Sequence, residues 1–239
     1  MLTPRDRLIV ALDVSSAAAA RKIVAAVGES VSTFKVGMQL YTAEGPSVVR
    51  ELVAAGRKVF LDLKYHDIPN TVASAVQEAA GLGVSMLTVH ASGGDSMLRA
   101  ATAVTRQFAP SLVVLAVSVL TSFDQDGLAE IGIGASVEQQ VLDLSKIALK
   151  AGCGGVVASA REAAALRSKF GQDFMLVTPG VRPLGIAHDD QARVVTPAKA
   201  IAAGASHIVI GRPITAAEDP AVEAQAILDE LAGATALNA

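Results

Sequence analysis

Four charged residues stand at the ends of three successive apolar segments of the chain. Asp13 closes the first segment, Lys35 lies within the second, and the third carries both Asp62 and Lys64. A charge inside an apolar segment is costly to bury unless it is paired or used. A fixed ammonium can stabilise negative charge as it develops in a reaction and can then supply a proton. The pattern therefore predicts a functional cluster of charges, with a purely structural ion pair as the alternative.

Strand alternation predicts where the third segment directs its charges. Successive side chains of a strand face opposite sides, so Asp62 and Lys64 share one face while Leu61 and Leu63 share the other. We expect the two leucines to pack under helices, which directs both charged side chains inward.

A second set of candidates combines glycine with arginine near the C-terminus, in Pro179-Gly180-Val181-Arg182 and in Gly211-Arg212-Pro213. Backbone N–H groups exposed at glycine and guanidinium groups both bind phosphate. The two turns predict a phosphate site, the alternative being ordinary turns with solvated arginines. The segment 182–195 between them is too long for an ordinary turn, and we expect a lid over the substrate. His188 in this lid and His90 elsewhere are acid–base candidates without an assigned role.

The elements that must position these residues alternate regularly along the chain. Near-continuous apolar runs are typical of parallel strands covered on both faces. The predicted strands are Leu8–Val14, Thr33–Met38, Lys58–Lys64, Met86–Ala91, Leu112–Val119, Gly155–Ser159, Phe174–Thr178 and His207–Ile210. The predicted helices are Ser16–Val27, Ser47–Ala55, Thr71–Ala80, Asp95–Phe108, Val137–Lys150, Arg161–Ser168, Pro197–Ala203 and Ala221–Leu231. Ser16, Asn70, Ser136 and Thr196 are predicted N-caps.

Eight strand–helix units in an uninterrupted chain of 239 residues favour the α/β class, as a (β/α)8 TIM barrel in one domain spanning residues 1–239. Such a barrel carries its active site at the C-terminal ends of the strands, which brings both sets of candidates to one mouth. A doubly wound open sheet is the alternative. Its glycine-rich dinucleotide turn is missing, because the first strand ends in Asp13-Val14-Ser15-Ser16.

Composition excludes several classes of function. A formal net charge of −3 argues against a nucleic-acid partner. The longest uncharged stretch, 107–123, contains proline and several hydroxyl residues and is a poor membrane span. The charged N-terminus lacks the apolar run of a signal peptide, so we expect a cytoplasmic protein. Cys153 is expected to be packed and inert, and no metal is expected, because the histidines show no ligand spacing.

The sequence Asp62-Leu63-Lys64-Tyr65-His66-Asp67-Ile68-Pro69-Asn70-Thr71 resembles the signature of the orotidine 5'-monophosphate decarboxylase family. The resemblance continues through Leu12-Asp13, Lys35-Val36-Gly37, Val119-Leu120-Thr121-Ser122 and both glycine–arginine turns, and so covers essentially the whole chain. The D-x-K-x-x-D part is shared with related phosphosugar decarboxylases and aldolases. The continuation through Ile68-Pro69-Asn70-Thr71 distinguishes this family from them.

The resemblance implies a carboxy-lyase that converts orotidine 5'-monophosphate to UMP and CO2, the last step of pyrimidine nucleotide synthesis, without a cofactor. Lys64 would donate the proton to C6, Asp62 would lie against the substrate carboxylate, and Lys35 and Asp67 would complete an alternating charged array. Further residues would contact the substrate: Asp13 and Lys35 the ribose, Thr121 the pyrimidine, and Arg182, Gln191, Gly211 and Arg212 the phosphate.

The resemblance also implies a homodimer with shared sites, in which Asp67 and Thr71 enter the site of the opposite subunit. The alternative is that Asp67 pairs with Lys64 of its own chain. Two alternatives to the activity remain open: a phosphosugar decarboxylase or aldolase, which would typically need Mg2+, and a silent barrel that binds a nucleotide. The intact set of Asp62, Lys64 and Asp67 argues against the silent barrel.

Overall fold

The computed structural model describes residues 2–183 and 195–236. Eight parallel strands close into a barrel in which each strand pairs with its neighbours in chain order and β8 pairs with β1. The strands are β1 Leu8–Ala11, β2 Thr33–Gly37, β3 Lys58–Tyr65, β4 Met86–His90, β5 Val113–Val117, β6 Gly155–Val157, β7 Met175–Thr178 and β8 His207–Ile210. The predicted (β/α)8 barrel is confirmed.

One short helix precedes β1, and the other helices follow the strands and cover the outside of the barrel. They are α1 Pro4–Arg7, α2 Ala17–Val27, α3 Met38–Glu44, α4 Ser47–Ala54, α5 Pro69–Gly81, α6 Gly94–Phe108, α7 Gln125–Glu130, α8 Val137–Lys150, α9 Ala160–Phe170, α10 Pro197–Ala202, α11 Arg212–Thr215 and α12 Pro220–Ala236. The sequence did not predict the short α1, α3, α7 and α11, because one or two turns show too little periodicity. No helix within the described residues is long and apolar enough to cross a membrane.

Three of the four predicted N-caps are confirmed. The side chains of Ser16, Ser136 and Thr196 each accept a hydrogen bond from the backbone N–H three residues on. The prediction for Asn70 is wrong, because α5 already begins at Pro69. Proline suits the first helical position, since its φ is preset and the missing N–H would have no partner there.

The predicted strand ends were in several cases too late. The apolar runs of β1, β2, β4, β5 and β6 continue one to three residues beyond the last strand residue. Leu12, Val119 and Ala158 in these extensions are still buried. An apolar pattern therefore reports burial, which continues at the mouth of the barrel after the strand pairing has ended.

The alternation of side chains divides the core into two parts. Inside the barrel, seven buried side chains form a separate apolar cluster: Ile9, Ala11, Phe60, Met86, Leu115, Val177 and Val209. The larger cluster lies between strands and helices; it contains Leu61, and Leu63 packs against it. The predicted outward direction of these leucines is confirmed. Cys153 is buried, as predicted, and burial raises the pKa of its thiol to about 12.

The pairing of β3 with β4 is irregular next to the charged residues of β3. Leu61 pairs with Leu87, but the next pair is Tyr65 with Val89. Three residues, Asp62 to Lys64, thus lie opposite Thr88 alone. Lys64 has a φ of 53° and is the one non-glycine residue with positive φ in the described part of the chain. A backbone conformation of this kind costs about 1–3 kcal/mol and persists only where the surrounding structure holds it in place.

Candidate active site

Two connected cavities open at the C-terminal ends of the strands. The wider one, about 420 Å³, is lined by Asp13 and Lys35 on one side and by the two glycine–arginine turns on the other. The deeper one, about 150 Å³, has mainly apolar walls that include Phe60, and Thr121 lies in its lining. Lys35 and Asp62 line both cavities, so a single ligand can span them.

A row of alternating charges lies along the floor of these cavities. Lys35 Nζ is 2.8 Å from Asp13 Oδ1 and 3.7 Å from Asp62 Oδ2. Lys64 Nζ is 2.9 Å from Asp62 Oδ1. The side chains of Lys35 and Asp62 in the middle of the row are only 11% and 15% exposed, so solvent screens the charges there weakly. Asp13 at one end is 54% exposed. The four charges that the sequence singled out are therefore one continuous cluster.

Asp62 is also tied to the neighbouring strand. Thr88 Oγ1 donates a hydrogen bond to Asp62 Oδ1 (3.0 Å) and accepts one from the Lys64 backbone N–H (2.9 Å). Sequence reasoning missed Thr88. The available signal was one polar residue among apolar ones in Met86-Leu87-Thr88-Val89. That Thr88 lies beside Asp62, however, depends on the irregular strand pairing, which has no signature in the sequence.

Gly37 was also missed. A Cβ at this position would lie 2.9 Å from Lys35 Nζ and 3.0 Å from Asp13 Oδ1. At these distances the Lys35 ammonium, and to a smaller extent the Asp13 carboxylate, would have to shift. The backbone of Gly37 is in an extended conformation that any residue adopts. The glycine therefore leaves space for the ion pair in its observed position, and its φ does not call for glycine.

The predicted phosphate residues that the structure describes meet at the far end of the wider cavity. Gly180, Arg182, Gly211 and Arg212 all line it. Arg182 is buried at 5% exposure, whereas Arg212 is exposed at the rim.

The two ends of the predicted lid lie beside these residues. The backbone N–H of Arg182 donates to the Val195 carbonyl (3.1 Å), so the ends of the segment are held together. Gln191 and His188 lie outside the described residues.

Asp67 and Thr71 lie apart from the charged row. Residues 66–71 are all exposed, and Ile68 among them is 66% exposed. The Asp67 carboxylate accepts a hydrogen bond from the Ile68 backbone N–H, and within the described residues it forms no ion pair with Lys64, whose ammonium contacts Asp62. The alternative of an Asp67–Lys64 pair within one chain is therefore wrong for this structure.

His90 stacks on His66, with ring centroids 5.4 Å apart, at the ends of β4 and β3. Its Nδ1 accepts the Ser92 backbone N–H (3.3 Å). Burial, together with the charges of His66 and Lys64, lowers the pKa of His90, which favours the neutral ring. Neither ring lines the two connected cavities. Within the described residues no group of His, Cys, Asp and Glu side chains is arranged to hold a metal ion.

Comparison with known proteins agrees with this geometry. The family model described as orotidine 5'-phosphate decarboxylase / HUMPS family matches residues 6–227. The orotidine 5'-phosphate decarboxylase of Moorella thermoacetica is 51% identical over 233 residues, covering 95% of this chain and 92% of that protein. The one from Halorhodospira halophila is 51% identical over 228 residues, covering 95% and 97%.

Solved structures give the same result. The crystal structure of orotidine 5'-phosphate decarboxylase from Lactobacillus acidophilus superposes with a TM-score of 0.85 at 40% identity, covering 95% of this chain and 99% of that one. An uncharacterized conserved protein from Geobacillus kaustophilus has a TM-score of 0.81 at 37% identity, covering 94% and 99%. By both sequence and fold, this chain belongs to the orotidine 5'-phosphate decarboxylase / HUMPS family.

Proposed function

We propose that the chain decarboxylates orotidine 5'-monophosphate to UMP and CO2, in pyrimidine nucleotide synthesis, without a cofactor, and that residues 1–239 act as one catalytic domain. The observation that carries the proposal is the row Lys35–Asp62–Lys64 at the floor of a cavity whose other end holds Arg182 and Arg212. The names of the relatives support the same reaction.

Lys64 is the proposed proton donor. When the bond between C6 and the carboxylate breaks, the electron pair stays on C6, where no neighbouring group delocalises it well. The Lys64 ammonium stabilises this charge as it develops and then transfers a proton to C6. The lysine is left neutral and is reprotonated from solvent. Its ion pair with Asp62 at 2.9 Å supports an ammonium that is fixed in place before substrate binds.

Asp62 is proposed to face the substrate carboxylate. Its Oδ1 already receives Lys64 and Thr88, which leaves Oδ2 toward Lys35 and the cavity. Two carboxylates ~4 Å apart at an effective dielectric constant of ~20 repel each other by about 4 kcal/mol. This repulsion is relieved as CO2 leaves, and the adjacent lysines offset part of it in the bound substrate.

The remaining contacts are proposed to supply binding energy far from the reacting carbon. Asp13 and Lys35 bind the ribose, and Thr121 binds the pyrimidine. The phosphate is held by Arg182, Gln191, Gly211 and Arg212. Energy from these remote contacts offsets the repulsion at C6 and holds the substrate against the lysine. The positions of Arg182, Gly211 and Arg212 around one end of the cavity support this division.

We also propose that the protein acts as a homodimer with shared sites, in which Asp67 and Thr71 of each subunit enter the site of the other. Six consecutive exposed residues, 66–71, support this proposal. Pro69 stiffens the segment by fixing its own φ and restricting the preceding residue. The exposed side chains of Met38 and Ile68, which follow β2 and β3 at the same mouth, offer apolar surface for a second subunit.

The proposed activity is tested by following the ultraviolet absorbance of orotidine 5'-monophosphate after exhaustive dialysis of the protein against EDTA. Full turnover under these conditions supports a decarboxylase that needs no metal ion. Activity that returns only with Mg2+, or that acts on phosphosugars instead, would favour the related enzymes of this barrel. Nucleotide binding without turnover would favour the silent barrel.

A further inference from the structure

The Thr88 hydroxyl occupies the centre of a closed set of hydrogen bonds around Lys64. A backbone N–H only donates and a carboxylate only accepts. The chain of bonds therefore runs in one direction, from the Lys64 N–H to Thr88 Oγ1 and from that hydroxyl to Asp62 Oδ1. The Lys64 ammonium donates to the same Oδ1. The backbone of Lys64 is thus bonded to the Thr88 hydroxyl and its ammonium to Asp62 Oδ1, and these two acceptors are bonded to each other.

The irregular pairing of β3 explains why a side chain is needed there. Three residues of β3 lie opposite Thr88, so the Lys64 N–H has no carbonyl of β4 in register. An unsatisfied N–H at this depth would cost about 1–3 kcal/mol. Thr88 is 1% exposed and provides the missing acceptor. It also supports the left-handed backbone of Lys64, whose φ of 53° needs its surroundings to hold it.

We propose that Thr88 is a positioning residue for the reaction: it fixes where the Lys64 ammonium and the Asp62 carboxylate stand relative to the reacting carbon. Thr88 does not itself line either cavity and so makes no contact with substrate. Its effect belongs to the step in which charge develops on C6, not to substrate binding. An ammonium misplaced by about 1 Å costs on the order of a hundredfold in rate. The proposal rests on the decarboxylase function proposed above.

The test compares three variants with the wild type. Thr88→Val keeps the shape of the side chain and removes the hydroxyl, whereas Thr88→Ser keeps the hydroxyl. The matched control is Thr102→Val in α6, which removes another buried hydroxyl, one that donates to the Ala151 carbonyl far from the site. Each protein is assayed for kcat, for KM and for the Kd of UMP.

We expect Thr88→Val to lower kcat by ten- to a hundredfold while KM and the Kd of UMP stay within threefold of wild type. Thr88→Ser and Thr102→Val should keep kcat within threefold. A Thr88→Val protein with wild-type kcat would overturn the proposal. Equal losses in the valine and serine variants would also overturn it, because they would assign the effect to packing of the methyl group.

A measurement without substrate separates this proposal from the proposed function. In Thr88→Val the backbone amide of Lys64 should exchange with deuterium at least tenfold faster, as observed by NMR, and in Thr102→Val it should not. Unchanged exchange contradicts the positioning role even if the wild type is an active decarboxylase. Faster exchange in a protein whose wild type lacks turnover would reject the function and leave the hydrogen-bond assignment intact.

Discussion

Lys64 combines an unfavourable backbone conformation with an ion pair to Asp62. Its φ is 53° near the end of β3, and its ammonium lies 2.9 Å from Asp62 Oδ1, two residues back along the same strand. Non-glycine residues in this conformation cluster at functional sites, where surrounding bonds hold them. The strain at Lys64 therefore supports its assignment as the proton donor independently of the sequence motif.

We predict that Lys64→Ala lowers kcat by at least about 10³-fold, because both the proton and the stabilising charge are lost. The thermal midpoint should stay within about 5 °C, since Asp62 keeps its ion pair with Lys35 and its hydrogen bond from Thr88. Lys22→Ala, which removes an exposed lysine of α2, is the control for loss of a positive charge. Turnover of Lys64→Ala within tenfold of wild type would contradict the proton-donor role.

Gly37 gives a prediction that separates activity from stability. In Gly37→Ala the new Cβ displaces the Lys35–Asp13 pair, so kcat/KM should fall about ten- to a hundredfold. The fold should not suffer, because the extended backbone of Gly37 suits alanine. Gly81→Ala is the matched control, since no atom lies within 4 Å of its added Cβ. Unaltered kinetics in Gly37→Ala would show that the pair tolerates displacement.

At the level of elements, the sequence predicted the direction of side chains better than the detail of pairing. Alternation in β3 correctly placed Asp62 and Lys64 inside and the leucines outside. The irregular register with β4 was beyond prediction, because it depends on which residues of two distant segments face each other. Thr88 was missed because its contacts depend on this register, and Gly37 because its significance lies in the space beside the Lys35–Asp13 pair.

The turns after β7 and β8 give a prediction about phosphate. Arg212→Ala should lower kcat/KM for orotidine 5'-monophosphate by about ten- to a hundredfold, the value of a charge-assisted hydrogen bond. Orotidine, which lacks the phosphate, should lose much less with the same variant. Arg21→Ala, which removes the exposed guanidinium of an arginine in α2, is the control. Equal losses for both substrates would mean that Arg212 does not act through phosphate.

The first residue of β8 predicts a dependence of stability on pH. Burial, with a contribution from Arg7, lowers the pKa of His207 from 6.5 to about 4. Between these two pKa values the unfolded chain binds a proton at His207 that the folded protein excludes. The contribution of His207 to the free energy of unfolding is therefore fully present above pH 6.5 and is lost as the pH falls from 6.5 to 4. Between pH 7.5 and 5 the loss from this one group is about 2 kcal/mol.

Urea unfolding of the wild type and of His207→Gln at both pH values measures this effect. The variant should lose about 2 kcal/mol less than the wild type on acidification. Identical pH dependence in the two proteins would show that His207 titrates normally in the folded state. The other histidines are common to both proteins and cancel in the comparison.

At the level of the whole molecule, regular alternation of eight apolar runs with helical segments sufficed to predict the closed barrel. The barrel in turn brings residues as distant as Asp13 and Arg212 to one cavity. Pairing between subunits is a different matter, because one chain's pattern does not specify which exposed surface meets a copy of itself.

Shared sites predict complementation between two inactive proteins. Asp67→Ala and Lys64→Ala subunits, mixed and allowed to exchange, form hybrid dimers with one site bearing both lesions and one bearing neither. If half of the dimers are hybrids, activity should return to roughly a quarter of that of the wild type, since one site in two is then intact in half of the dimers. As the control, each variant is carried through the same exchange procedure alone. No recovery after confirmed exchange would reject the shared-site model.

The apolar cluster inside the barrel has a consequence for how substrate enters the cavity and how products leave it. Its seven buried side chains fill the barrel beneath the charged row, so the barrel interior offers no route away from the cavity on that side. We therefore expect substrate to enter, and products to leave, at the C-terminal mouth of the barrel. A small anion between the two glycine–arginine turns would occupy the phosphate site proposed above. It therefore competes with the substrate, raising the apparent KM while the limiting rate at saturation stays the same.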